Sequence, residues 1–151
     1  MPTTWRIVQT RYAETAFDGE GARLYGGRWN HPGTPIVYTA STRALALLEL
    51  LVHLHSEALL GRWVQIPVTF EDKHVERLSP RQLPEDWRSG MAVGTRDIGT
   101  GWAKSGKSLV LAVPSVIVPA EMNYLINPRH PDAGKLRVGK AEPVEIDPRL
   151  G

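Results

Sequence analysis

The chain has no cysteine among its 151 residues. That removes disulfide staples, thiolate metal ligands and a cysteine nucleophile together. Long apolar runs are missing as well. Ala44 to Leu54 is interrupted by Glu49 and His53, and Leu109 to Ala120 by Pro114 and Ser115. Both fall well short of the ~20 residues that cross a bilayer. The opening MPTTWRIVQTRYAETAF has no apolar core of the secretory kind. A soluble, cytoplasmic protein with no membrane partner is expected. An excess of charge of one sign is also absent, since 18 basic residues face 16 acidic ones for a net of +2. No segment carries the basic surplus that a phosphate backbone requires, so direct nucleic-acid binding is not expected.

What is present is a globular composition. Hydrophobic residues make up 42% and charged ones 23%, with five tryptophans. One domain over residues 1–151 is expected, large enough to bury roughly 70% of the unfolded chain's surface. Residues 13–35 are glycine-rich without clear periodicity and read as a long ordered loop or a broken strand region. Pro35 to Ala40 reads as a short strand. Ser41 or Thr42 then caps a helix running to about Leu60 and ended by Gly61. Trp63 to Phe70 alternates apolar and polar residues, a half-buried strand placed at an edge by Pro67. Residues 71–107, rich in proline and glycine, predict loops and short helical turns. Ser108 to Val113 and Val116 to Val118 predict a buried strand broken at Pro114–Ser115, and a last short strand is predicted near Pro143 to Ile146. The sum is α+β, with short mixed strands around one dominant buried helix.

Gly101 to Ser108 (GWAKSGKS) matches the P-loop pattern letter for letter. A working P-loop needs a buried strand before it and a helix after it. Thr95 to Thr100 does not read as a buried strand, and Leu109 onward reads as strand. The match is therefore read as a glycine-rich turn leading into a strand.

Candidate chemistry falls in three places. Glu49 lies in the helix ALALLELLV, with Leu45 and Val52 on its face, so its carboxylate is expected against packing. A buried carboxylate needs a partner or a function; the structural alternative is an ion pair with His53 or a loop arginine. Arg28 follows paired glycines in LYGGRWN, where the backbone can approach a ligand and a planar guanidinium can hold phosphate or carboxylate. A surface hairpin arginine is the alternative. Trp29 beside it reads as a core or lid residue, and Tyr38 in PIVYTA as a core aromatic or a ligand contact. Ser115 in VPSV lacks the Gly-x-Ser-x-Gly elbow of a hydrolase nucleophile, so a hydrogen-bonding role, structural or ligand-directed, is expected. The five histidines show no ligand spacing, and no metal site is expected.

Taken in order, Gly26-Gly-Arg-Trp-Asn30, Ile36-Val-Tyr-Thr-Ala-Ser41, Ala44-Leu-Ala-Leu-Leu-Glu49, Leu109-Val-Leu-Ala-Val-Pro-Ser-Val116 and Asn123-Tyr-Leu-Ile-Asn-Pro128 resemble the RES domain family. The resemblance covers roughly residues 5 to 150. It implies a fold like that of ADP-ribosyltransferase toxins, and a bacterial toxin neutralised by an Xre-type helix-turn-helix antitoxin. It also implies that NAD is consumed at the nicotinamide–ribose bond, by hydrolysis or phosphorolysis, with water or phosphate as acceptor. Carried over by position, the family's arginine is Arg28, its tyrosine Tyr38, its glutamate Glu49 and its serine Ser115. The resemblance makes Glu49 the catalytic carboxylate, Arg28 catalytic and NAD-binding, Tyr38 a packing partner of the nicotinamide, and Ser115 a hydrogen-bond partner of its ribose or amide. Two alternatives remain. One is mono-ADP-ribosylation of a protein, and the other is a non-catalytic partner of a DNA-binding antitoxin. Residues 71–107 align with nothing in the family pattern, so a lid or an acceptor site there stays open.

Overall fold

The computed structural model describes residues 1–54, 61–90 and 92–150. Its centre is a mixed sheet whose strands are β1 (Thr3–Gln9), β2 (Val37–Ala40), β3 (Trp63–Thr69), β4 (Val75–Arg77), β5 (Val110–Pro114), β6 (Met122–Ile126), β7 (Arg137–Val138) and β8 (Glu142–Val144). The order is β4-β5-β6-β2-β1-β3-β7, with β8 also on β3. Among the described residues β4 and β5 pair in parallel and the other strand pairs are antiparallel. The α-helices among the described residues are α1 (Glu20–Tyr25), α2 (Arg43–His53) and α3 (Val93–Ser105), with short 3-10 turns between elements.

β5 and β6 form the most deeply buried part because both faces are covered. Val110 and Ala112 pack with Val37, Val68, Phe70, Tyr124 and Ile126 on one side. Their neighbours Leu111 and Val113 turn to the other side, against Trp29, Ile36, Trp102, Ala103 and Leu125. A strand covered on both faces reads as a continuous apolar run, which is how β5 appears in the sequence.

Several expectations hold. β2 falls inside PIVYTA, and the Thr42 hydroxyl caps α2 by accepting from the Leu45 N–H at 3.0 Å. α2 ends earlier than expected, at His53, where Leu54 turns extended; the rest of the helix expected to about Leu60 covers residues 55–60, outside the described residues. Within α2 only Leu45 is buried, while Leu48 and Val52 are exposed. The helix lies on β1 and β2 with an open outer face, so it is neither wholly buried nor dominant.

α3, at 13 residues, is longer than α2 and replaces the loops expected within 71–107. Gly94, Gly99 and Gly101 lower its helix propensity and hide its period. Tertiary contact requires one of them: a Cβ on Gly99 would lie 1.8 Å from the Trp29 carbonyl oxygen. The P-loop match occupies the second half of α3 and its left-handed terminus at Gly106. A helix precedes the last glycine and a strand follows, the reverse of what phosphate cradling needs.

β3 is not an edge. It lies between β1 and the short strands β7 and β8. Pro67 falls between Gln65, the last residue opposite β8, and Val68, the first opposite β7, so its missing N–H interrupts no ladder there. Val116 to Val118 is a turn, and the strand after it, β6, was hidden by the polar Asn123. The loop expected over 13–35 contains α1, whose Glu20 N–H is met by the Asp18 carboxylate at 2.9 Å.

Candidate active site

A cleft of about 460 Å³ opens between α2, α1 and the β1–β2 region of the sheet. Arg28, Tyr38 and Glu49 all line it. They come from a loop, a strand and a helix, so three unrelated stretches of sequence converge on one hollow.

Glu49 is half-buried and takes the side of α2 that meets the cleft. Its Oε1 accepts a hydrogen bond from the Ser115 hydroxyl at 2.9 Å. That partner is neither His53 nor an arginine, and Val52, expected to pack beside it, is 63% exposed. Ser115 is fully buried just past β5, and its oxygen accepts the N–H groups of Ile117 and Val118 at 3.1 Å each. With both lone pairs occupied, its single hydrogen is directed at the carboxylate. Ser115 does not border the cleft. Its hydroxyl meets the cleft through Glu49.

Arg28 belongs to no helix or strand. The turn around it is closed by Gly27 and Asn30, which exchange backbone hydrogen bonds. The Arg28 carbonyl accepts from the Thr95 hydroxyl at 2.8 Å. Its guanidinium donates to the carbonyls of Ser89 and Trp87. Residues 71–107, unaligned in the sequence reading, therefore supply the anchors for this arginine. Trp29 is a core residue, 2% exposed.

Tyr38 presents its ring to the cleft while its hydroxyl is tied inward. It accepts from the Trp29 N–H at 3.0 Å and donates to the Asn30 side-chain oxygen. Gly27 makes room, because a Cβ there would lie 2.7 Å from the hydroxyl. Burial pushes the phenol's pKa well up, against smaller lowering by the Trp29 N–H and by nearby Arg96 and Arg28. Tyr38 is thus a neutral aromatic wall and not an acid or base near neutral pH.

Arg6 and Trp5 also line the cleft and were missed in the sequence. Arg6 donates to the Ala16 carbonyl at 2.7 Å and the Tyr38 carbonyl at 3.1 Å. Burial lowers its pKa and Asp18 partly restores it; a guanidinium stays charged regardless. The one available signal was a charge set within the strand residues Trp5-Arg6-Ile7. Arg43 sits 3.9 Å over the Trp5 ring, a cation–π contact that links α2 to β1. Among the described residues no cluster of three or more His, Asp or Glu could hold a metal ion. No helix among them is long and apolar enough to cross a membrane.

The RES domain family profile matches residues 3–147. The chain belongs to the RES domain family. Among its relatives is a protein named Toxin Res from Yersinia enterocolitica, 42% identical over 149 residues that cover 97% of each chain. A relative from Sphingobium, named Prs ADP-ribosylating toxin, is 45% identical and is matched over 97% of this RES chain and 94% of its own length. In fold this RES chain is similar to a chain of the M. tuberculosis MbcT–MbcA toxin–antitoxin complex. That match has a TM-score of 0.77 at 22% identity and covers 98% of this chain and 85% of that one.

Proposed function

We propose that this chain is the toxin of a toxin–antitoxin pair and that it cleaves the nicotinamide–ribose bond of NAD. The observation that carries the reading is Glu49: Ser115 holds one of its carboxylate oxygens, and the side chain faces a cleft also lined by Arg28 and Tyr38. Breaking the C1–N bond sends its electron pair to the pyridinium nitrogen, and nicotinamide leaves neutral. Positive charge develops on the ribose. A fixed carboxylate beside that sugar stabilises the charge, the logic used by glycosidases. Glu49 supplies this carboxylate, and Ser115 keeps it oriented.

Arg28, preset by Thr95, Trp87 and Ser89, holds the pyrophosphate or the adjacent ribose as a planar fork. The Tyr38 ring packs against the nicotinamide. Water then bonds to C1 and releases its proton to solvent, or phosphate bonds to C1 through one of its anionic oxygens. Arg6, with its charge inside the same cleft, adds to the field that favours an anionic substrate. The fold is read as ADP-ribosyltransferase-like, and the partner as an Xre-type antitoxin in the cytoplasm.

A second reading has its own support: the Sphingobium relative is named an ADP-ribosylating toxin. In that case a protein side chain replaces water at C1, and the same residues serve. The test incubates the chain with NAD, with and without phosphate, beside Glu49→Gln. Wild type should consume NAD, with loss of about 10³-fold in rate in the variant. Free ADP-ribose would identify water as acceptor, and a 1″-phosphate would identify phosphate. NAD that persists in both buffers but labels protein in a cell extract would move the second reading ahead. NAD untouched in every arm would remove both.

A further inference from the structure

The arginine wall has a second side. Gly26, Gly27, Arg28 and His53 also border a neighbouring cleft of about 440 Å³. Its far wall includes Arg96, carried on the first turns of α3, and Tyr25 stands at its rim with 83% of its surface exposed. Two arginines face this cleft, and among the described residues no carboxylate does. Arg96 is half-buried and has no hydrogen bond or ion pair among the described residues. Both guanidiniums act on the Tyr38 phenol as positive neighbours, so their fields overlap. Like charges gathered in a concave, partly desolvated space favour an anion there.

We propose that this second cleft binds the adenosine diphosphate half of a dinucleotide. Arg96 and Arg28 take the two phosphates, for which a guanidinium fork is suited. Tyr25 offers its exposed ring as a stacking face for the base, a sequence-tolerant contact that every purine can make. The shared wall at Gly26 to Arg28 then lies under the pyrophosphate, and the nicotinamide ribose drops on the Glu49 side. Either cleft has the volume usual for a small-molecule site. This assignment rests on the reading of NAD as substrate, and it gives Arg96 and Tyr25 roles that the family motifs do not.

The experiment is calorimetric titration of the full chain with ADP, inorganic pyrophosphate, inorganic phosphate and nicotinamide riboside. Arg96→Gln should weaken ADP and pyrophosphate about tenfold, and Arg96→Lys should recover part of that. Tyr25→Ala, at an exposed position that folding does not need, should weaken ADP about fivefold and leave pyrophosphate unchanged. Nicotinamide riboside should not respond to either substitution, and KM for NAD should rise more than kcat falls. ADP binding that ignores both substitutions overturns the proposal, as does phosphate binding as tightly as ADP. If the chain spares NAD yet binds ADP through Arg96, the subsite stands and the reaction falls. If NAD is consumed while Arg96→Gln changes neither ADP affinity nor KM, the reaction stands and the subsite falls.

Discussion

Glu49 and Arg28 face one cleft and are held there in opposite ways. Glu49 rides on a helix that its own sequence starts, with Thr42 as cap, and it needs one distant partner, Ser115. Arg28 has no regular element beneath it. Its contacts with Trp87, Ser89 and Thr95 reach 59, 61 and 67 residues along the chain. Local hydrogen bonding starts the helix that carries the first side chain, whereas the second rests on long-range contacts. A substitution remote from the cleft should therefore disturb the arginine before the glutamate.

Gly27→Ala should break the arginine half most severely. Its Cβ would press on the Tyr38 hydroxyl and stand 3.0 Å from the Asn30 Oδ1, loosening the turn that carries Arg28. Overpacking of this kind costs about 1–3 kcal/mol. Denaturant melts should report that loss, and KM for NAD should rise. A variant as stable and as active as wild type would mean that the turn does not position Arg28.

Ser115→Ala attacks the glutamate half. It leaves the Ile117 and Val118 N–H groups without their acceptor and Glu49 without its donor, a cost of about 1–3 kcal/mol. Turnover should fall with KM little changed, because the carboxylate loses orientation and not presence. Unchanged kcat in a folded variant would show that Glu49 orients itself.

Tyr38→Phe has the mildest effect and sharpens the contrast, since the ring stays and only the tie to the arginine turn goes. Two buried groups, the Trp29 N–H and the Asn30 oxygen, lose a partner, for about 1–2 kcal/mol. The pH dependence has a definite sign. The folded phenol's pKa lies above its ordinary 10.0, so the folded state holds its proton longer than the unfolded one. This contribution is complete below pH 10.0 and is lost as pH climbs beyond it. Melts between pH 9 and 11 should slope less in Tyr38→Phe than in wild type, on the ordinary titration range of tyrosine at about 10. Equal slopes would mean that the phenol is not buried in solution.

How much of this was legible follows the same division. β2, the start of α2 and β5 carry their signals in short windows: a β-branched run, a capping threonine, an unbroken apolar stretch. Arg28, Tyr38 and Glu49 were identified by motif and do meet in one cleft. Ser115 was identified too, but its contact is with Glu49, and its spacing of 66 residues from that partner leaves no local trace. α3 was invisible because glycine weakens every local helix signal, while the reason for Gly99 lies on another segment, at the Trp29 backbone.

By itself the sequence determined the composition class, the family pattern, the capped helix with its one carboxylate and the buried strand β5, because each depends on neighbours a few residues away. Only the tertiary structure decided that Ser115 orients Glu49, that residues 87 to 95 clamp Arg28, and that Arg6 and Arg96 border the two clefts. Those contacts form when strands paired across the chain bring remote side chains within hydrogen-bond reach. Such distances are fixed by sheet order and packing, and no local pattern of residue types encodes them.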